Sequence, residues 1–168
     1  SLLGLYLLAW RICRPPAKVQ GRAVVADPRL WAVLLATVAL INLAMLSLYP
    51  IGAVDVFDYI AQGREISFWH ANPFYTPASQ FPSEPVLRYT GWAAMTTLYG
   101  PAWQLIAAPL TWAAGRDLLN NLLAFKSVAV LFYVGCIALI TAIMRRVAPQ
   151  RALSAVSLFV LNPLVIYE

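Results

Sequence analysis

Residues 55 to 64 read DVFDYIAQGR, which sets Asp55 and Asp58 three positions apart with Tyr59, Gln62 and Arg64 close behind. Two neighbouring carboxylates push each other's pKa apart, so that one of them can accept a proton near neutral pH; such a pair suits general-base chemistry on a hydroxyl. At helical spacing Asp55, Asp58, Tyr59, Gln62 and Glu65 share one face, while Val56, Phe57 and Ile60 turn elsewhere. That face has to look at water or at a site. A purely structural reading also accounts for it: Asp55 as a helix N-cap, Asp58 favoured in the first turn by the helix dipole, and Arg64 as a surface charge.

The elements that carry this stretch belong to a membrane. Of the 168 residues 61% are hydrophobic and only 11% charged, and the mean hydropathy is +0.71, which excludes an ordinary soluble domain. Apolar runs at about 1–11, 30–49, 118–144 and 152–167 read as spans, roughly 20 such residues being needed to cross a bilayer. The fold class expected is all-α and integral to the membrane: a polytopic helical bundle with a long external loop at 50–99. The chain lacks an initiator Met and stops just after an apolar run, which reads as a piece of a larger protein.

Eight of the twelve basic residues lie in two clusters, Arg11, Arg14, Lys18, Arg22 and Arg29, then Arg145, Arg146 and Arg151. Short loops rich in Lys and Arg stay in the cytoplasm, so both clusters are expected there and the loop at 50–99 on the extracytoplasmic side. The net charge of +5 is then a topology signal that needs no nucleic acid. Segment 101–114 is too short to span comfortably and carries Pro109 inside it, which fits a re-entrant or interfacial helix, with a tightly tilted span as the competing reading.

The loop contains Pro50, Pro73, Pro77, Pro82 and Pro85, so no single helix covers it, and four of the seven acidic residues fall within it. Its one helical candidate is 54–69. His70 is the sole histidine, with no partner at zinc-ligand spacing. In W-H-A-N-P it is placed either to hydrogen-bond a substrate or to be satisfied by backbone. Most of the loop's Trp and Tyr residues read as a belt at the headgroup level. Cys13 and Cys136 lie too far apart in the topology to pair. No phosphate-cradling Gly-rich loop, Ser/His/Asp arrangement or internal repeat is present, which weighs against a nucleotide-sugar donor.

D-x-x-x-Y at 55–59, Q-G-R at 62–64, A-N-P-F-Y at 71–75, Y-G-P at 99–101 and L-N-P-L-V-I-Y-E at 161–168, in that order, resemble the GT-C superfamily of membrane glycosyltransferases. The pattern is most similar to the polyprenyl-phosphate-mannose-dependent α-mannosyltransferases, including actinobacterial lipoglycan enzymes and, more distantly, the catalytic GPI mannosyltransferase. It covers about residues 30 to 168.

The resemblance implies a GT-C-like fold in a bacterial plasma membrane, working in the cell envelope. A sugar, mannose, would pass with inversion from a polyprenyl-phosphate donor to a hydroxyl of a lipid-linked or glycan acceptor, on the extracytoplasmic face. The family's base is a carboxylate of the first external loop; Asp55 matches it by position, and Asp58 stays open as the second candidate. The departing lipid phosphate gains negative charge, and Arg64 and Arg88 are the basic residues of the loop that could meet it. Tyr59, Gln62, His70, Asn72 and Tyr99 complete the expected substrate contacts, with Tyr99 and Trp92 as stacking platforms and Glu168 lining the acceptor side. A divalent cation, Mg or Mn, at the Asp pair is left open. Two other classes compete: a transporter fragment, whose polar residues belong near the midplane rather than the surface, and a non-catalytic membrane scaffold subunit.

Overall fold

The computed structural model describes Gly4, Arg11, residues 28–50, 54–162, and 164 and 165. Among them all regular structure is helical. The elements are α1 (Pro28–Ser47), α2 (Asp55–Ser67), α3 (Pro101–Ala114), α4 (Leu118–Val147) and α5 (Ala152–Val160), with 3-10 turns at Ala78–Gln80, Pro85–Tyr89 and Pro149–Arg151. The expected span at 1–11, apart from Gly4 and Arg11, lies outside the described residues, as do Pro163 and Glu168.

The chain divides into two compact units, one of Tyr49–Ala129 and one of Ser1–Leu48 with Val130–Glu168. In the latter, Leu34 and Val38 of α1, Ile137 of α4, and Leu153, Val156 and Val160 of α5 form a small core. The rest of α1 and α4 turns Leu30, Val33, Leu40, Leu43, Leu131, Phe132 and Leu139 outward. Both helices are long and apolar enough to cross a membrane. A helix in lipid must satisfy its polar groups internally, and here four of them do so one turn back. Thr37 donates to the Val33 carbonyl at 2.9 Å, Asn42 to Val38 at 2.8 Å, Ser47 to Leu43 at 3.0 Å and Thr141 to Ile137 at 2.7 Å. Arg145 and Arg146 close α4 where the helix dipole favours cations, and Arg145 lies over the Trp31 ring at 5.9 Å.

The helix described at the last apolar run is shorter than the expected span at 152–167. It ends at Val160, and the Asn162 side chain accepts the Leu164 amide at 3.0 Å. Asn competes with the helix for backbone partners, and a following proline disfavours helical geometry at the residue before it.

In the unit of Tyr49–Ala129, α2 packs along α3 and against the turn at Pro85–Tyr89. Phe57, Ile60, Ala61, Ala78, Val86, Ala107, Leu122 and Phe125 make the core. The two helices come close because Gly63 has no side chain: a Cβ there would lie 2.7 Å from both the Ala107 carbonyl oxygen and Thr111 Cγ2. One turn on, the Ser67 and Thr111 hydroxyls meet at 2.9 Å. The polar residues of α3, Gln104 and Thr111, are both buried, while Leu105 and Trp112 point outward, 78% and 71% exposed. This is the reverse of an amphipathic helix in water.

Candidate functional site

Three residues of α2 at positions i, i+3 and i+7 hold one stretch of loop. Asp58 is 3% exposed. Its Oδ2 accepts the Gly91 amide at 3.2 Å and its Oδ1 the Trp92 amide at 3.1 Å. A turn further, Gln62 Oε1 accepts the Thr97 hydroxyl at 2.7 Å and Gln104 Nε2 at 3.0 Å, while Gln104 Nε2 also donates to Thr97 Oγ1 at 2.9 Å. At the start of the helix, Asp55 Oδ2 accepts the Tyr99 hydroxyl at 3.4 Å. The polar face of α2 therefore grips the segment 91–99 rather than looking at bulk water.

Asp55 is half-buried and opens α2, where Val54 precedes it and no side chain caps the helix. The N-cap reading of Asp55 thus gives way to a contact across the fold. Burial pushes the Asp58 carboxyl above its ordinary range; the Trp92 and Gly91 amides oppose that rise and the nearby Asp55 charge adds to it. Burial likewise raises the Tyr99 phenol, helped by its hydrogen bond to Tyr59 and by the charges of Tyr59 and Asp55, so the phenol keeps its proton and donates. Tyr59 holds that phenol from the side, its ring 4.7 Å from Tyr99 and 4.9 Å from Trp103, both edge-on.

The remaining residues expected at the site are placed elsewhere in this unit. Arg64 is 1% exposed. It pairs with Glu84 at 3.0 Å and donates to the carbonyls of Gly115 and Arg116 at the end of α3. Glu84 also accepts Trp69 Nε1 at 2.9 Å. A guanidinium so enclosed ties α2, α3 and the loop together and has no face open to a phosphate. Arg88 is exposed, with its guanidinium over the Tyr89 ring at 4.8 Å. Asn72 shapes its own turn: Oδ1 accepts the Phe74 amide at 3.0 Å, and its carbonyl accepts Tyr75 and Thr76. His70 is exposed and takes a left-handed φ of 51°. That conformation lets the Ala71 amide reach the Glu65 carbonyl at 2.8 Å and end the helix. Glu168 lies outside the described residues.

A divalent ion fits the Asp pair poorly, since both Asp58 oxygens already accept backbone amides and, among the described residues, no third His, Cys, Asp or Glu joins them. Sequence reasoning missed Thr97, Gln104 and Glu84. Gln104 had a visible signal, as one of two polar residues in an apolar helix. Thr97 and Glu84 had none, because their partners are set by loop closure.

Residues 1–168 match the family model described as "Alpha-(1->6)-mannopyranosyltransferase, N-terminal domain", a GT-C mannosyltransferase family. No curated protein and no solved structure matches the chain.

Proposed function

The chain belongs to the alpha-(1->6)-mannopyranosyltransferase family, and from that premise we propose that it moves mannose from a polyprenyl-phosphate donor to a hydroxyl of a lipid-linked or glycan acceptor, with Asp55 as general base. The protein is read as a polytopic helical bundle of a bacterial plasma membrane, with the loop at 50–99 on the extracytoplasmic face. The observation that carries the assignment is the contrast between the two carboxylates. Asp55 is part-exposed and, among the described residues, its side chain accepts one long hydrogen bond, from a phenol, whereas Asp58 is enclosed with both oxygens engaged. A base has to reach the proton it removes within about 3 Å, and only a carboxylate with a free lone pair can do so.

In the reaction, Asp55 takes the acceptor proton as the acceptor oxygen attacks the anomeric carbon. The bond to the lipid phosphate breaks on the opposite face and configuration inverts. Tyr99, donating to the carboxylate, holds it in place for that transfer. Charge grows on the departing phosphate, and Arg88, exposed in the turn that packs on α2, is the cation of the loop free to meet it.

The test is transfer from radiolabelled polyprenyl-phosphate mannose in membranes containing the full-length protein. Asp55→Asn is expected to lose transfer by about 10²–10⁴-fold, the usual worth of a general base, and Arg88→Gln to weaken use of the donor. Undiminished transfer by Asp55→Asn would sink the assignment.

A further inference from the structure

We propose that Asp58 is a positioning residue for the base: by clamping the backbone of Gly91 and Trp92 it fixes a strap, residues 91–99, whose far end delivers the Tyr99 hydroxyl to Asp55. This deepens the reading of Asp55 as base and rests on it.

The strap is held at three points and acts at its far end. At its start, two consecutive amides donate to the two oxygens of one buried carboxylate, at 3.2 and 3.1 Å. Charge-assisted bonds of this kind are roughly twice as strong as neutral ones. Within it, Ser79 donates its amide to the Ala93 carbonyl at 2.8 Å. Near its end, the Thr97 hydroxyl sits between Gln62 and Gln104, and the Thr97 amide reaches the Pro73 carbonyl at 2.8 Å. That hydroxyl also accepts the Tyr99 amide at 3.1 Å, which sets the direction in which the Tyr99 side chain leaves the backbone. The phenol then arrives at Asp55 Oδ2 with its ring braced by Tyr59.

Between these ties the strap shows Trp92, Met95 and Leu98 outward, 53%, 47% and 74% exposed, so it is not fixed by a core of its own. Its position depends on the polar grips from α2. Asp55 and Asp58 are therefore coupled through eight residues of chain as well as through their charges. The carboxylate that first looks like a rival base is the one that orders the environment of the other.

The Tyr99 hydroxyl orients Asp55, so losing that contact misplaces the base in the reacting complex without removing it. A loss confined to the reacting complex lowers kcat and leaves KM for donor and acceptor little changed, by about 10-fold for one hydrogen bond to a charged group. The experiment measures kcat and KM for the full-length protein in membranes, comparing wild type with Asp55→Asn, Asp58→Asn, Tyr99→Phe, Thr97→Val and the Asp58→Asn, Tyr99→Phe pair. The expected result is a fall in kcat at unchanged KM in Asp58→Asn, Tyr99→Phe and Thr97→Val alike, smaller than that of Asp55→Asn. The double variant loses no more than the larger single one.

Asp58→Asn as inactive as Asp55→Asn overturns the proposal, because Asp58 would then take part in the chemistry. Unchanged kcat in Tyr99→Phe and Thr97→Val overturns it too, while leaving Asp55 as base. Retained transfer by Asp55→Asn removes the base reading itself. Should Asp58→Asn not accumulate, Tyr99→Phe still decides, since it deletes a single hydroxyl.

Discussion

Glu65 lies two turns of α2 beyond Asp58, 2% exposed, with neither carboxylate oxygen hydrogen-bonded. Burial alone pushes its carboxyl from 4.5 up to about 7. Below 4.5 the group is protonated whether the chain is folded or not. As the pH rises toward 7 the unfolded chain ionises first, so stability is lost across that window and stays low above it. The loss amounts to ~3 kcal/mol at most. Glu65→Gln keeps the shape and removes the titration, so it should leave thermal unfolding near pH 4.5 little changed and raise the melting temperature at pH 8. A wild-type melting temperature equal at both pH values would show that Glu65 does not carry this cost. At this scale residue types and a shared face were legible in the sequence, but not which member faced what. Asp58, Gln62 and Glu65 are three polar residues on one stripe with three different fates: clamp, network and orphan.

At the scale of elements, the α2–α3 pair shows how small residues in the sequence become close approach in the fold. Gly63 and Ser67 of α2 face Ala107 and Thr111 of α3, and small residues at fourfold spacing let backbones come near. Gly63→Ala forces a methyl group against a carbonyl oxygen of the partner helix, which cannot rotate away as a side chain can. The expected cost is roughly 1–3 kcal/mol, typical of overpacking. A lower melting temperature of the detergent-solubilised protein checks it. Adding Thr111→Ser relieves only one of the two contacts, so rescue should be partial; full rescue would mean that the carbonyl contact is harmless. The helices themselves were legible: α2 was expected at 54–69 and runs Asp55–Ser67, because apolar spacing and a cluster of flanking prolines bound it. The left-handed His70 that ends it was not, since nothing in W-H-A-N-P distinguishes a helix stop from a ligand.

For the whole molecule, two apolar helices long enough to cross a membrane and a mannosyltransferase family describe a membrane enzyme. The proposed orientation is checked with single cysteines in a background lacking Cys13 and Cys136. A membrane-impermeant maleimide is expected to label Ser83→Cys on intact cells, and Gln150→Cys only after permeabilisation. The opposite pattern would invert the topology. Composition and pattern by themselves indicated the helical class, the apolar spans and the stretch where polar residues concentrate, because hydrophobicity and period are summed over many residues and survive any local detail. Tertiary structure alone decided that Arg64 is an internal tie to Glu84, that Asp58 holds a strap and that Asp55 is the carboxylate left reachable. Those outcomes depend on which loop residues meet one helix face across 20 to 50 positions of chain, and no local pattern encodes contacts made at that range.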